Sequence, residues 1–289
     1  MKKHHYAVIG DPIAHSLSPV MHNIAFHDLK IDADYTRIQV KNQENSISEF
    51  LNMAKENLSG FNVTAPLKYS IIPFLDEISE ASRFACSVNT VKVHDGKLLG
   101  DTTDGIGMEC AVKRAFGISL EKKRILIVGA GGVAGALACH CVQKGVASVA
   151  IINRSIDKAE ALSHRIKNVY PAFTVLISSA DDETKMKQLY HECDLVLQCT
   201  TLGMKETDPS PIRMEWISDD IPILDTIYLR TELQKQAKHK GNPVSNGLTM
   251  LLYQGVASFR IWTGKEPPVE KMYSALCEKT GVVPSSLHK

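Results

Sequence analysis

No run of apolar residues in the sequence approaches the roughly 18 that a membrane-spanning helix needs. The N-terminal stretch MKKHHYAVIGDP offers only YAVI as an apolar segment, too short for the core of a signal peptide. Neither sign of charge dominates: 33 Lys and Arg face 32 Asp and Glu, for a net charge of +1, and no basic block occurs. That balance argues against a nucleic-acid or membrane-surface partner. The seven cysteines are odd in number and include no C-x-x-C pair; Cys139 and Cys141 are too close for a zinc knuckle. They read as reduced thiols of a cytoplasmic protein, and no metal-ligand set stands out. Internal repeats and low-complexity segments are also lacking. What remains is an ordinary globular composition, 44% hydrophobic over 289 residues, sufficient for two domains.

The segment YAVIG (6–10) reads as a short buried strand. Ser18 and Pro19 then look like the N-cap and first residue of a helix, with Val20, Met21, Ile24, Ala25 and Leu29 as its apolar stripe. DYTRIQV alternates like a strand, and SISE (46–49) has the form of a capping box opening a second helix. GFNVTAP is a strand closed by Pro66, followed by a short helix interrupted at Pro73. SVNTVKV, then Asp95-Gly96, then KLLG predicts a β-hairpin, so the first domain is α/β with a mixed sheet. Beyond the turn-rich GDTTDG (100–105), the apolar segments RILIV, SVAIIN, DLVLQC and IPILDTIY alternate with helical or polar stretches, the pattern of a doubly wound parallel sheet. Helices return after SNGLTM: Leu248, Leu251, Leu252, Val256 and Phe259 form one stripe, and a last helix is expected near 268–279.

GAGGVA sets Gly129, Gly131 and Ala134 in a G-x-G-x-x-A pattern between a predicted strand and a helix of small residues. Gly129 permits the tight turn, Gly131 lets the backbone approach a pyrophosphate, and Ala134 lets helix and strand pack closely. Ala130, Gly132 and Val133 complete the loop, whose helix N-terminus offers free N–H groups to phosphate. The next strand ends in IINRSIDK. Where an NAD site places a carboxylate for the ribose 2′-hydroxyl, this chain has Asn153, then Arg154, Ser155 and Lys158. A guanidinium can bind a 2′-phosphate that a carboxylate would repel, so the charge pattern favours NADP(H) over NAD; an Arg and Lys simply solvated at a loop is the alternative.

Taken together, GDPIAHSLSPVMHN, GFNVTAPLK, SVNT, GDTTDG, GAGGVA, NRS and NGLTMLLYQG, in this order over nearly the whole chain, resemble the shikimate dehydrogenases. The resemblance implies a substrate-binding and catalytic domain of residues 1–104 plus 248–289 and a Rossmann NADP domain of residues 105–247, with the C-terminal helices returning to the first domain and the active site in the cleft between. It implies reversible, NADPH-dependent reduction of 3-dehydroshikimate to shikimate in the chorismate pathway. Lys68 and Asp104 fall on the family's catalytic lysine and aspartate. An ammonium beside a developing alkoxide can donate a proton and stabilise charge, so the two are read as one coupled acid/base unit. Judged without the resemblance, Lys68 would be a surface lysine and Asp104 a helix N-cap. Ser16 and Ser18 match the serines that hold the substrate carboxylate, and Tyr228 a tyrosine near it. Thr64, Asn89 and Gln254 match contacts to ring hydroxyls and oxygen. Gly247 and Met250 resemble residues beside the nicotinamide.

Several positions depart from the family pattern. Thr102 stands for the usual Asn of GDNTDG, Gln198 and Cys199 replace more typical residues after the fourth Rossmann strand, and the segment after Tyr228 looks short. These leave open a dual shikimate/quinate dehydrogenase with relaxed choice between NAD and NADP. Other readings are a related dehydrogenase acting on a folate, an idle dinucleotide-binding regulatory protein, and a serine hydrolase built on His15 and Ser16. The last lacks a G-x-S-x-G elbow, and adjacent residues do not form a triad. His15 and His22 are expected to be structural. A monomer or homodimer is expected.

Overall fold

The computed structural model describes residues 3–282. Two compact units divide the chain: one gathers the chain up to Gly107 together with the chain from Leu251 onward, and the other is Met108–Met250.

The first unit begins with β1 (His4–Gly10), α1 (Ser18–Asp28), β2 (Ala33–Gln39), α2 (Glu44–Asn57) and β3 (Gly60–Val63). It continues through α3 (Leu67–Ser70), a 3₁₀ turn at Ile72–Phe74, β4 (Glu77–Ile78), α4 (Glu80–Ala85), β5 (Thr90–His94) and β6 (Lys97–Asp101) into α5 (Asp104–Phe116). The strands form one sheet in the order β2-β1-β3-β5-β6-β4. β1 is parallel to β2 and β3, whereas β5 runs antiparallel to β3 and β6, so the sheet is mixed as expected. The β5–β6 hairpin turns at Asp95 (φ 49°) and Gly96 (φ 73°), the two consecutive left-handed residues that a tight two-residue turn demands.

Tyr6, Ala7, Val8 and Ile9 are all buried, which places β1 in a sheet covered on both faces. One face packs Phe50, Leu51, Ala54, Phe61 and Leu67 into a single core. The other carries rings: Tyr6 lies 5.0 Å from Phe26 and 5.1 Å from Trp262.

Two helix starts differ from expectation. α1 begins at Ser18 itself, with Leu17 in the cap position and no side-chain capping bond, so the Ser18 hydroxyl is not used as a cap. α2 starts at Glu44, before the SISE pattern, where a carboxylate in the first turn suits the positive end of the helix dipole.

The second unit runs β7 (Arg124–Val128), α6 (Gly132–Gln143), β8 (Ser148–Asn153), α7 (Ile156–Val169), β9 (Val175–Ser179) and α8 (Glu183–Glu192). It continues with β10 (Leu195–Gln198), β11 (Ile223–Asp225), α9 (Glu232–Lys240) and β12 (Val244–Ser245). The sheet order is β12-β11-β10-β7-β8-β9, with every pairing parallel. This is the doubly wound nucleotide-binding order, with its topological switch point between β7 and β10. Ile125–Val128 and Leu195–Leu197 are buried, which explains their uninterrupted apolar reading. β9 and β12 are edge strands too short or too polar to stand out in the sequence.

The chain closes with α10 (Leu248–Thr263) and α11 (Val269–Thr280). Leu248, Leu252, Val256 and Phe259 are buried, as the stripe predicts. Trp262 Nε1 donates to the Val91 carbonyl at 2.9 Å and ties α10 to β5.

Candidate active site

The strand directions of the first sheet bring three distant segments to one edge. β3 ends at Val63 and leads into Thr64 and Lys68; β5, running the other way, begins just after Asn89; β6 ends at Asp101 and leads into Asp104. Lys68 Nζ donates to Asp104 Oδ2 at 2.6 Å, and Asn89 Nδ2 donates to Asp104 Oδ1 at 2.9 Å. The lysine side chain is 14% exposed and the aspartate 5%. Both carboxylate oxygens thus have partners, and the lysine side chain keeps a small window to the surface. An ion pair this enclosed is not the solvated surface lysine that base rates favour.

Asn89 is the junction of this edge. Its Nδ2 also faces Thr103 Oγ1 (2.9 Å) and Gln254 Oε1 (3.2 Å). Its Oδ1 accepts from the Thr103 backbone N–H (2.8 Å), with Thr90 Oγ1 3.0 Å away. Gln254, on α10, donates its Nε2 to the Leu251 carbonyl at 2.8 Å. Lys68, Asn89, Asp104 and Gln254 therefore belong to one bonded cluster. Thr64 sits at the mouth of β3, half-buried, with its methyl in the space that a Cβ on Gly10 would need: the two carbons would stand 2.5 Å apart. Only glycine fits at position 10. Thr102, one of the departures, keeps a buried hydroxyl with no partner in the structure.

The segment Ser16–Ser18 lies over the same unit. Ser16 Oγ is 3.4 Å from Ser18 Oγ, and the Arg37 guanidinium donates to the Ser16 carbonyl at 2.9 and 2.6 Å. Beneath it the Tyr35 hydroxyl donates to Asn62 Oδ1 at 2.7 Å. Two hydroxyls held on a backbone that is itself clamped by a guanidinium can receive a carboxylate. His22 of the same motif is fully buried, stacked 4.5 Å from Tyr35, and burial pulls its imidazole down to about 3. It is neutral and structural, as expected.

In the second unit Gly129 has φ 110°, and a Cβ there would meet the Cys199 carbonyl carbon at 3.0 Å. A Cβ on Gly131 would meet nothing, leaving an open approach to the loop. α6 begins at Gly132 with no side-chain capping bond, so its first N–H groups are available to phosphate. Val133 and the fully buried Ala134 follow. Asn153 Oδ1 accepts the Ala130 N–H at 3.1 Å and its Nδ2 donates to the Ser155 carbonyl at 2.7 Å. Asn153 thus pins the glycine loop to the Arg154–Ser155 turn. Arg154, Ser155 and Lys158 are exposed beside it. A glycine loop with open space, free helix amides, two cations and Asn153 in place of a carboxylate at the end of β8 suits a phosphorylated dinucleotide.

Tyr228 is half-buried and Met250 is buried. Gly247 donates its N–H to the Ile227 carbonyl at 3.1 Å, next to Tyr228, and a Cβ there would stand 2.1 Å from the Thr226 carbonyl oxygen. Gln198 accepts the Thr200 N–H at 2.5 Å and faces the Leu202 carbonyl at 3.2 Å, bracing the loop after β10. Asp225 is buried, and burial raises its carboxyl despite bonds from Thr231 and Gln234. Sequence reasoning did not single out Asn62, Thr90, Thr103 or Ser258, which floor the Asn89 cluster. The available signal was four polar residues at positions the strand and helix patterns bury. Among the described residues, no group of three or more His, Cys, Asp or Glu could hold a metal ion, and no helix is long and apolar enough to cross a membrane.

Residues 8–91 match the family model described as shikimate dehydrogenase substrate binding domain. Residues 110–204 match shikimate / quinate 5-dehydrogenase, and residues 247–277 match shikimate 5′-dehydrogenase C-terminal domain. A shikimate dehydrogenase (NADP(+)) of Bacillus cereus is 37% identical over 280 residues, covering 96% of this chain and 98% of its own. A crystal structure of a shikimate dehydrogenase in complex with NADP+ is similar with a TM-score of 0.87 and 34% identity, covering 96% of each chain. The shikimate 5-dehydrogenase of Thermus thermophilus, in complex with NADP(H) and shikimate, has a TM-score of 0.84 at 31% identity, covering 95% of this chain and 99% of its own.

Proposed function

The chain belongs to the shikimate dehydrogenase family, and on that premise we propose that it catalyses the reversible NADP-linked reduction of 3-dehydroshikimate to shikimate, a step of aromatic amino acid biosynthesis. The observation that carries this reading is the enclosed Lys68–Asp104 pair at 2.6 Å, bonded onward to Asn89. NADP(H), when bound, supplies or accepts the hydride. The protein's share is the proton and the placement of the substrate. Lys68 Nζ donates a proton to the carbonyl oxygen as negative charge grows there, and recovers it from the hydroxyl in the reverse direction. Asp104 acts as the lysine's partner in that exchange and holds the ammonium in place; Asn89 holds Asp104.

Ser16 and Ser18 receive the substrate carboxylate, and Tyr228 lies near it in this reading. Thr64, Asn89 and Gln254 hold the ring hydroxyls and oxygen. The loop Gly129–Ala134 takes the pyrophosphate of NADP, and Asn153, Arg154, Ser155 and Lys158 take its 2′-phosphate end. Gly247 and Met250 line the nicotinamide. The unit built on the mixed sheet is then the substrate domain and the doubly wound unit the cofactor domain. We place the enzyme in the cytoplasm, acting as a monomer or homodimer on small molecules. Its seven cysteines, none in a disulfide, suit a reducing compartment.

The test is a rate panel with shikimate and quinate, each with NADP+ and NAD+. Shikimate with NADP+ is expected to give the highest kcat/KM. Comparable rates with quinate, or with NAD+, would instead establish the dual enzyme, which the name of the family matched by residues 110–204 makes the second reading. Lys68→Ala should lower kcat by about 10²–10⁴-fold while leaving NADP+ binding intact. Unimpaired turnover in that variant would overturn the proton role. Binding of both ligands with no hydride transfer in the natural protein would indicate an idle relative.

A further inference from the structure

Ser258 lies one helical turn beyond Gln254 on α10 and is fully buried. A serine in a helix commonly bonds the carbonyl four residues back, and Ser258 Oγ does donate to the Gln254 carbonyl at 2.9 Å. Its other neighbours make it more than that. Asn62 Nδ2 reaches it from β3 at 3.0 Å, Thr90 Oγ1 from β5 at 2.7 Å, and Thr103 Oγ1, next to Asp104, at 3.3 Å.

A hydroxyl has one proton and two lone pairs. With the proton on the Gln254 carbonyl, the lone pairs accept from Asn62 and Thr90. Asn62 then uses its second proton on the Asn89 carbonyl at 2.9 Å. Asn89 is left to direct its amide at Asp104 Oδ1 and Gln254 Oε1. Every donor has a direction, and each direction leads to the Asn89–Asp104–Lys68 edge or to the helix turn that carries Gln254. Ser258 is the one residue of α10 that bonds this floor from below while holding the backbone of a site residue.

We propose that Ser258 is a positioning residue for the reaction: its hydroxyl fixes Gln254 relative to Asn89, so that the two side chains meet the substrate ring together. This rests on the reading of Gln254 as a substrate contact. The experiment is a double-mutant cycle in the full-length enzyme with Ser258→Ala and Gln254→Ala, measuring kcat and the KM of shikimate and of NADP+. Ser258→Ala should weaken kcat/KM for shikimate by about three- to tenfold, the effect of losing one buried hydrogen bond, with the NADP+ KM changed less than about twofold. In the Gln254→Ala background the same substitution should change kcat/KM for shikimate by less than about twofold, because the group it places is gone.

Ser258→Cys, a weaker donor of similar size, should fall between serine and alanine. It also serves as the second variant if alanine impairs folding. A Ser258→Ala effect that simply multiplies with that of Gln254→Ala, or that raises both KM values alike, would reduce Ser258 to a general packing role. An unchanged kcat/KM in Ser258→Ala would overturn the proposal outright. If Gln254→Ala itself leaves kcat/KM for shikimate unchanged, the assignment of Gln254 fails first, and the proposal with it.

Discussion

Lowering the pH from 7 to 5 should destabilise the mixed-sheet unit through one residue, His22. The imidazole has no exposed surface, neither ring nitrogen has a partner, and it is packed against the Tyr35 ring at 4.5 Å and Trp262 at 5.3 Å. Burial alone pulls it from the ordinary 6.5 to about 3. In the unfolded chain it protonates at its ordinary value, so between these limits the unfolded state binds the extra proton. Stability therefore rises with pH: it is fully present above 6.5 and is lost as pH falls toward 3. At pH 5 the loss is about 1.4 kcal/mol per pH unit over roughly 1.5 units, or about 2 kcal/mol. That figure is insensitive to the folded-state value so long as it lies below about 4.

The chain has two tryptophans, and Trp262 lies in the unit that holds His22. Urea unfolding followed by Trp262 fluorescence in a Trp216→Phe background isolates that unit's transition. Other groups also titrate, so the decisive quantity is a double difference. The loss between pH 7 and pH 5 should be about 2 kcal/mol larger in the parent than in His22→Phe, which keeps the stack and removes the titration. His22→Leu is the second variant if the larger ring overpacks against the Met21–Gly255 contact. Equal pH dependence in parent and variants would show that His22 is protonated when folded, and would refute the reasoning.

Arg154→Ala should weaken NADP+ binding by about 10–100-fold, the worth of a charge-assisted phosphate contact, and leave NAD+ binding nearly unchanged; titration of each cofactor against the apo-enzyme checks it. Gly247→Ala should destabilise the doubly wound unit by about 1–3 kcal/mol, since a Cβ would stand 2.1 Å from the Thr226 carbonyl oxygen and backbone must move. Trp216 fluorescence in urea reports that transition, and an unchanged midpoint would contradict the close approach.

The second unit was legible in the sequence because its strands are buried on both faces and its loops carry glycines at required positions. RILIV, SVAIIN and DLVLQC appear as apolar runs for that reason, and the Gly129 turn has the positive φ its motif requires. The first sheet was harder. Asp95-Gly96 announced the hairpin, but nothing local says that β3 pairs with β5 or that β1 lies between β2 and β3. Those pairings are what bring Lys68 and Asp104, 36 residues apart, to 2.6 Å. From spacing alone the lysine looked like surface and the aspartate like a helix cap; the ordered set of motifs, rather than local physics, brought the two together.

A different signal was present in the sequence: it marks Gln254, whose buried amide needs partners, and it went unused at Ser258. In α10 the apolar stripe of Leu248, Leu252, Val256 and Phe259 is interrupted on its buried side by Gln254 and Ser258, one helical turn apart. A buried amide and hydroxyl each cost about 1–3 kcal/mol if left unbonded, so two of them on one helix face require polar partners from elsewhere. Asn62 and Thr90 meet the same requirement on β3 and β5, and Thr103 on the turn before α5. Polar residues at positions that periodicity assigns to the core must find one another, and here they meet beneath Asn89. The Lys68–Asp104 pair is what that cluster presents at its edge: Asn89 can hold Asp104 at 2.9 Å because its own carbonyl oxygen and backbone are already bonded from below.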